Sequence, residues 1–128
     1  LPLLLDRERR CLLGHVARAN PHWHAFRQGT EPALAILHGP HAYVSPTWYQ
    51  RRPAVPTWNY AVVHARGPVR LLAPQETRAA VSALVRRFEE GRDPAWSDED
   101  LAEEYRAALL DAVVGLELTV ARLEGKYK

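Results

Sequence analysis

Methionine is absent from this chain of 128 residues, cysteine occurs once, phenylalanine twice, and neither sign of charge prevails. With Cys11 alone no internal disulfide can form, which suits a reducing compartment, and the chain is read as cytoplasmic. The 17 Lys and Arg against 15 Asp and Glu leave a net charge of +2, too small for the electrostatic footprint of a nucleic-acid binder. Arg9-Arg10, Arg51-Arg52 and Arg86-Arg87 then read as solvated turns and helix faces rather than a phosphate-tracking patch. No apolar run approaches the roughly 20 residues of a membrane span, and the Leu-rich start lacks the basic flank of a signal peptide. The chain therefore reads as soluble. It opens on Leu1-Pro2-Leu3-Leu4-Leu5, a run that is already strand-like, and without an initiator Met it is expected to be a fragment.

Motifs of common chemistries are missing too. There is no G-x-S-x-G, no P-loop and no G-x-G-x-x-G. Among the six His, His22 and His24 are two apart on an expected helix and diverge, and His38, His41 and His64 have no Cys or carboxylate at ligand spacing, so no metal site is expected. The two long helical segments are separated by a linker containing Arg92 to Trp96, longer than the about 3–4-residue turn of a helix-turn-helix, and the second is acidic at its start.

What is present is an aromatic concentration. The stretch Gly39 to Tyr60 holds two of the four Trp, three of the five Tyr and four of the ten Pro. Trp and Tyr carry polar tips that need partners when buried, so such a wall suits a flat, heteroatom-rich ligand, or equally an aromatic-rich interface or core corner.

A length of 128 residues fits one domain able to bury a real core. Leu1 to Leu5 and Cys11 to Ala17 read as a hairpin around the charged turn Asp6 to Arg10, with His15 and Ala17 on one face of the second strand. Asn20-Pro21 starts a short helix to Phe26. That start, with Arg18 just before it, is either an ordinary capped helix with a surface Arg or an anion site. Gln28 to Pro32 reads as a turn and Ala33 to His38 as a strand. Gly39-Pro40 breaks it, and His41 to Ser45 resumes extended structure.

Trp48 to Val55 reads as a loop and Thr57 to Ala65 as a strand, with Trp58, Tyr60 and Val62 on one face and Asn59, Ala61 and Val63 on the other. Arg66-Gly67 reads as a hairpin turn from which Val69 to Leu72 pairs back. From Pro74 the period becomes helical, with Thr77, Val81, Leu84, Val85 and Phe88 as the stripe and Gly91 as the stop. Ser97 with Asp100 opens a second helix to about Val114, striped by Leu101, Tyr105, Leu109, Ala112 and Val113 and ended by Gly115. Leu116 to Leu123 is a last strand, and Glu124 to Lys128 a polar tail. Sequential hairpins without βαβ alternation predict a mainly β domain, a small antiparallel barrel with a helical insertion at about 74–114.

Gly14-His15-Val16-Ala17-Arg18-Ala19-Asn20-Pro21 with Trp23, Gly39-Pro40-His41-Ala42-Tyr43-Val44-Ser45-Pro46 with Trp48-Tyr49, Val55-Pro56-Thr57-Trp58-Asn59-Tyr60 with His64, and Gly115-Leu116-Glu117 with Glu124-Gly125-Lys126 together resemble the PaiB family. Its members are FMN-binding negative transcriptional regulators. The resemblance implies an antiparallel split β-barrel like that of pyridoxamine-phosphate oxidases, and a homodimer with FMN sites at the subunit interface. It also implies a missing N-terminal helix and first strand and a short loop near 50–54.

On that basis Arg18 and the backbone from Asn20 to Trp23 would hold the phosphate, with His15 nearby. Ser45, Thr57 and Asn59 would hydrogen-bond the ribityl chain or ring edge, and Trp48, Trp58 and Tyr60 would wall the isoalloxazine. Regulation is the leading role. The alternatives are a flavin-dependent oxidoreductase or flavin reductase, and a flavin-free DNA-binding regulator, although no reader of base edges is visible.

Overall fold

A computed structural model describes residues 1–29 and 32–128. The predicted turn from Gln28 to Pro32 therefore lies partly outside the described residues.

Among the described residues the fold has six strands and two α-helices, with short 3-10 turns between them: β1 (Leu4–Asp6), β2 (Cys11–Ala17), β3 (Pro32–Val44), β4 (Thr57–Leu71), α1 (Pro74–Glu89), α2 (Glu103–Asp111), β5 (Val113–Thr119) and β6 (Arg122–Tyr127). Every pairing is antiparallel, in the order β1-β2-β5-β4-β3, with β6 also on β4. The expected hairpin is β1 against β2, with Leu5 opposite Leu12. This is the antiparallel split β-barrel with appended helices.

Its central member is β4. One edge of β4 pairs with β3 from Pro32↔Pro68 to Val44↔Thr57. The other edge pairs with β6 over Ala61 to Arg66 and then with β5 over Val69 to Leu71. Arg66-Gly67 is consequently not a turn, against the expectation from sequence. Gly67 is instead where the chain passes from β5 to β6 across β4: a Cβ added there would sit 1.7 Å from the Thr119 carbonyl oxygen. A glycine within a strand marks either a turn or the close approach of another backbone, and here it is the second.

Other boundaries moved for equally physical reasons. β3 runs through Gly39-Pro40 with a register shift between His38 and His41 rather than a break, because a bulge absorbs the residue that cannot donate to the ladder. Ser97 caps only the short 3-10 turn Asp98–Asp100, leaving Leu101 outside α2. Gly115 lies within β5, where a Cβ would come 2.5 Å from Thr77 Oγ1 on α1. The tail expected after Glu124 is strand β6, exposed throughout, which owes its order to the ladder edge of β4 rather than to an apolar pattern of its own.

The helix α1 forms where its period and Gly91 (φ 83°) predict, but Phe88 of the expected stripe is exposed. Ala73 N–H donates to the Glu76 carboxylate at 2.8 Å, satisfying one of the helix's free first-turn donors. Thr77, Ala80 and Leu84 form its buried face, which lies on β2 and β5. The opposite side of the same strands faces the core of Leu12, Phe26, Ala65, Val69, Leu116 and Leu118, with Trp23 packed at its margin.

Candidate functional site

Alternation along the strands decides which side chains can meet. On β3, Ala33, Ala35 and Leu37 turn inward to the core, so Ile36 and His38 turn outward. On β4, Ala65 and Val69 are inward, so Trp58, Tyr60, Val62 and His64 are outward. Directly paired residues share a face, and Lys126 and Glu124 of β6 stand opposite Val62 and His64. The three strands thus present one outer face holding aromatic, imidazole and ammonium groups together.

That face is a groove of about 750 Å³, lined among others by Ile36, His38, His41, Trp58, Tyr60, His64 and Lys126. The size falls within the roughly 300–1,000 Å³ of small-molecule sites. Trp58 is 49 % exposed, and its indole stacks on His41 with centroids 5.7 Å apart and planes 23° off parallel. The Lys126 Nζ lies 5.5 Å from the centre of the Tyr60 ring. Such a surface has flat π faces beside hydrogen-bonding and cationic tips.

The remaining predicted residues divide between other places. Asn59 follows Trp58 on β4 and turns to the opposite face. Ser45 caps the turn Pro46–Trp48, accepting from Thr47 N–H at 3.2 Å, and Trp48 stands largely exposed in that turn. Thr57, opposite Val44 at the end of β3, accepts from the Lys128 ammonium at 3.1 Å.

Arg18, Asn20 and Trp23 form a separate cluster that does not line the groove. Arg18 Nε donates to the Asp111 carbonyl at 2.5 Å and Nη2 to the Val113 carbonyl at 3.0 Å. A guanidinium on carbonyls at a helix C-terminus satisfies acceptors that the helix leaves free. Asn20 Oδ1 accepts from His22 N–H at 3.0 Å, so the side chain itself takes one of the donors expected to face an anion. Trp23 Nε1 donates to the Arg18 carbonyl at 2.9 Å. The cavity beside Arg18 and Trp23 is about 250 Å³, much smaller than the outer groove.

His15 lies elsewhere again. It pairs with Gly115, whose missing side chain faces Thr77 and Leu72, so His15 is on the α1 side of the sheet, and its Nδ1 has no hydrogen-bond partner among the described residues. Burial pushes its imidazole below the ordinary 6.5. As pH falls below about 6.5 the unfolded chain takes up a proton that the folded site resists, so stability present above that pH is lost in the acid direction. Thermal melts at pH 7.5 and 5.5 should show a drop that His15→Gln reduces. An equal drop in the variant would remove His15 as its source.

Among the described residues no three His, Cys, Asp or Glu side chains are grouped to hold a metal. Residues 1–122 match the model of the family described as "Putative FMN-binding domain". Protease synthase and sporulation protein PAI 2 of Bacillus subtilis is 33% identical over 117 residues, which are 91% of this chain and 56% of that protein. The chain belongs to the PaiB family. An uncharacterized Emericella nidulans protein is 30% identical over 147 residues, with 91% of the chain and 59% of the relative covered. This PaiB-family chain thus spans well under two thirds of the length of these curated relatives.

Solved structures share its fold, two of them as follows. The FAD and heme binding protein of Mycobacterium smegmatis superposes with a TM-score of 0.64 at 19% identity, covering 100% of this chain and 58% of that one. The flavocytochrome Anf3 of Azotobacter vinelandii gives 0.63 at 14% identity, covering 100% and 55%. FMN is the cofactor named by the PaiB-family match. The outer groove fits that group chemically: aromatic faces for a flat ring system, imidazole and hydroxyl groups for its heteroatoms, and room within the usual range for such ligands.

Sequence reasoning missed His38, His41, His64 and Lys126 as groove residues. The alternation Arg122, Glu124, Lys126 was the available signal, but those positions read as the end of a strand and a tail, so their shared face with Trp58 and Tyr60 could not be placed.

Proposed function

We propose that this domain binds FMN with the isoalloxazine against Trp58 and Tyr60 in the outer groove, and that it works in the cytoplasm as a homodimeric regulator of gene expression. The stacked Trp58–His41 pair beside Tyr60 carries the reading, since the Trp58 and His41 rings are exposed to solvent. Ser45 and Thr57, at the end where β3 stops and β4 starts, are assigned to the ribityl chain, with Thr57 reaching it from the strand end because it alternates away from Trp58. Asn59 and Trp48 stand off this face.

A homodimer is the arrangement in which Arg18, Asn20 and Trp23, outside the groove of their own subunit, reach a flavin held by the other. The regulatory role is supported by the name of the Bacillus relative, which links that protein to protease synthesis and sporulation.

Purified protein incubated with FMN and desalted should retain flavin by absorbance and mass, quench Trp fluorescence, and elute at the mass of a dimer. Trp58→Ala should weaken FMN binding about five- to tenfold, the worth of one aromatic contact. Protein that retains no flavin and shows no quenching would end this reading.

The open groove favours a second role, a flavin-dependent oxidoreductase, because a ring held there remains reachable by a hydride donor. Turnover of NAD(P)H with FMN present separates it from regulation alone. Flavin-free DNA binding is the weakest reading. Salt-sensitive, sequence-selective binding to a promoter fragment would favour it.

A further inference from the structure

Where β6 pairs with β4, from Ala61 to Arg66, the outer face carries three side-chain cations among the described residues, Arg66, Arg122 and Lys126, and their neutralisation is unequal. Glu124 is the carboxylate among them. It takes Arg122 Nη2 at 2.7 Å and lies 3.9 Å from Arg66 Nε. Lys126 has no carboxylate partner among the described residues; its ammonium rests 5.5 Å from the centre of the Tyr60 ring. Two arginines therefore share one carboxylate at one end of the strand pair, and the ammonium beside the aromatic wall is left uncompensated.

An ammonium beside a tyrosine keeps its charge and gains a weak attraction from the ring, and the donors it does not turn to Tyr60 remain available to an acceptor. Lys126 lies on β6, a regular strand pinned to β4 by Val62↔Lys126 and at its end by the paired backbone bonds of Tyr60 and Lys128, at 3.0 and 3.2 Å. The charge is consequently delivered by the scaffold rather than by a loop.

We infer that Lys126 is the anion-holding residue of the groove and selects a phosphorylated flavin over the unphosphorylated one. This rests on the reading of the groove as a flavin site and sharpens it: the phosphate end is held within the same subunit that supplies the Trp58–Tyr60 wall. Arg18, whose guanidinium is engaged by two carbonyls, is not its principal holder.

The test compares FMN with riboflavin by flavin and Trp fluorescence titration of the dimensionally intact chain. The wild-type protein should prefer FMN. Lys126→Gln should lower FMN affinity about tenfold or more, the worth of a charge-assisted hydrogen bond, and leave riboflavin within about twofold. Lys126→Arg should keep most of the preference, since it retains the charge. Because the side chain is exposed, the variants should melt with the wild type.

A ratio of FMN to riboflavin affinity unchanged in Lys126→Gln would overturn the assignment, as would a wild-type protein that binds both flavins equally. Either result leaves the flavin reading standing. A wild-type protein that binds neither flavin overturns both.

Discussion

Gly67→Ala should leave little folded protein. The added Cβ would lie 1.7 Å from the Thr119 carbonyl oxygen, 3.0 Å from the Thr119 carbonyl carbon and 3.1 Å from the Ala121 nitrogen. All three are backbone atoms, so no rotamer change relieves the clash, and the turn between β5 and β6 must move. That turn is bonded to its place, with Ala121 N–H donating to the Arg66 carbonyl at 2.9 Å and Val120 N–H to the Arg10 carbonyl at 3.0 Å.

Overpacking a core commonly costs about 1–3 kcal/mol, and a backbone clash that also displaces ladder bonds should exceed that, at about 4 kcal/mol or more. Against the roughly 5–15 kcal/mol of a typical domain, this is enough to lower the melting temperature by well over 10 °C or to prevent recovery of folded protein. Gly125→Ala is the control, because nothing lies within 4 Å of its added Cβ. A Gly67→Ala melt within a few degrees of wild type would show that the chain does not cross β4 there.

Arg70→Ala should cost more than Glu117→Ala, although both break the same ion pair. Glu117 faces α1 from β5 with a side chain only 7% exposed, whereas Arg70 is 39% exposed. Arg70 donates to Glu117 at 2.9 and 3.1 Å and to Glu76 at 3.0 and 2.9 Å, and Arg9 also donates to Glu117. Removing the carboxylate leaves two arginines that can reach water. Removing Arg70 leaves a buried carboxylate with one partner, and an under-compensated buried charge is the expensive case.

Discounted for the exposure of the arginine, about 3 kcal/mol is expected for Arg70→Ala and about 1.5 kcal/mol for Glu117→Ala. The double variant should fall below their sum because the stranded charge is gone. Urea unfolding of the three variants measures this, and a Glu117→Ala loss larger than that of Arg70→Ala would contradict it. The same carboxylate raises the pKa of the buried Cys11 thiol, after the desolvation that dominates there, which keeps that cysteine protonated and unreactive.

Local signals were legible wherever a local cause was sufficient. The β1–β2 hairpin, the helix from Pro74 to its stop at Gly91, and the common face of Trp58, Tyr60 and Val62 all follow from periodicity and capping that operate over a few residues. The long motifs from Gly14 to Pro21 and from Gly39 to Tyr60 were also enough to carry the family. Where the cause was distant, the reading failed. Gly67 has the appearance of a turn residue, and only the passage of Thr119 over it explains its identity. Gly115 has the appearance of a helix stop, and only Thr77 on α1 explains the missing side chain.

The aromatic concentration was visible in the sequence, but its neighbours were not. Arg18 and Asn20 share the chemistry of an anion site with many capped helix starts, and the backbone carbonyls of Asp111 and Val113 that engage Arg18 are more than ninety residues away. Lys126 joins Tyr60 because β6 pairs with the stretch of that edge of β4 which β5 leaves free. The sequence by itself determined the family, the strand-and-helix alphabet and which aromatic residues share a face, because those depend on side-chain type and short-range period. The tertiary structure alone decided that β4 serves two partners on one edge, that the Arg18 cluster stands apart from the aromatic wall, and that an uncompensated ammonium completes the groove, because pairing between distant strands leaves no periodic trace in either of them.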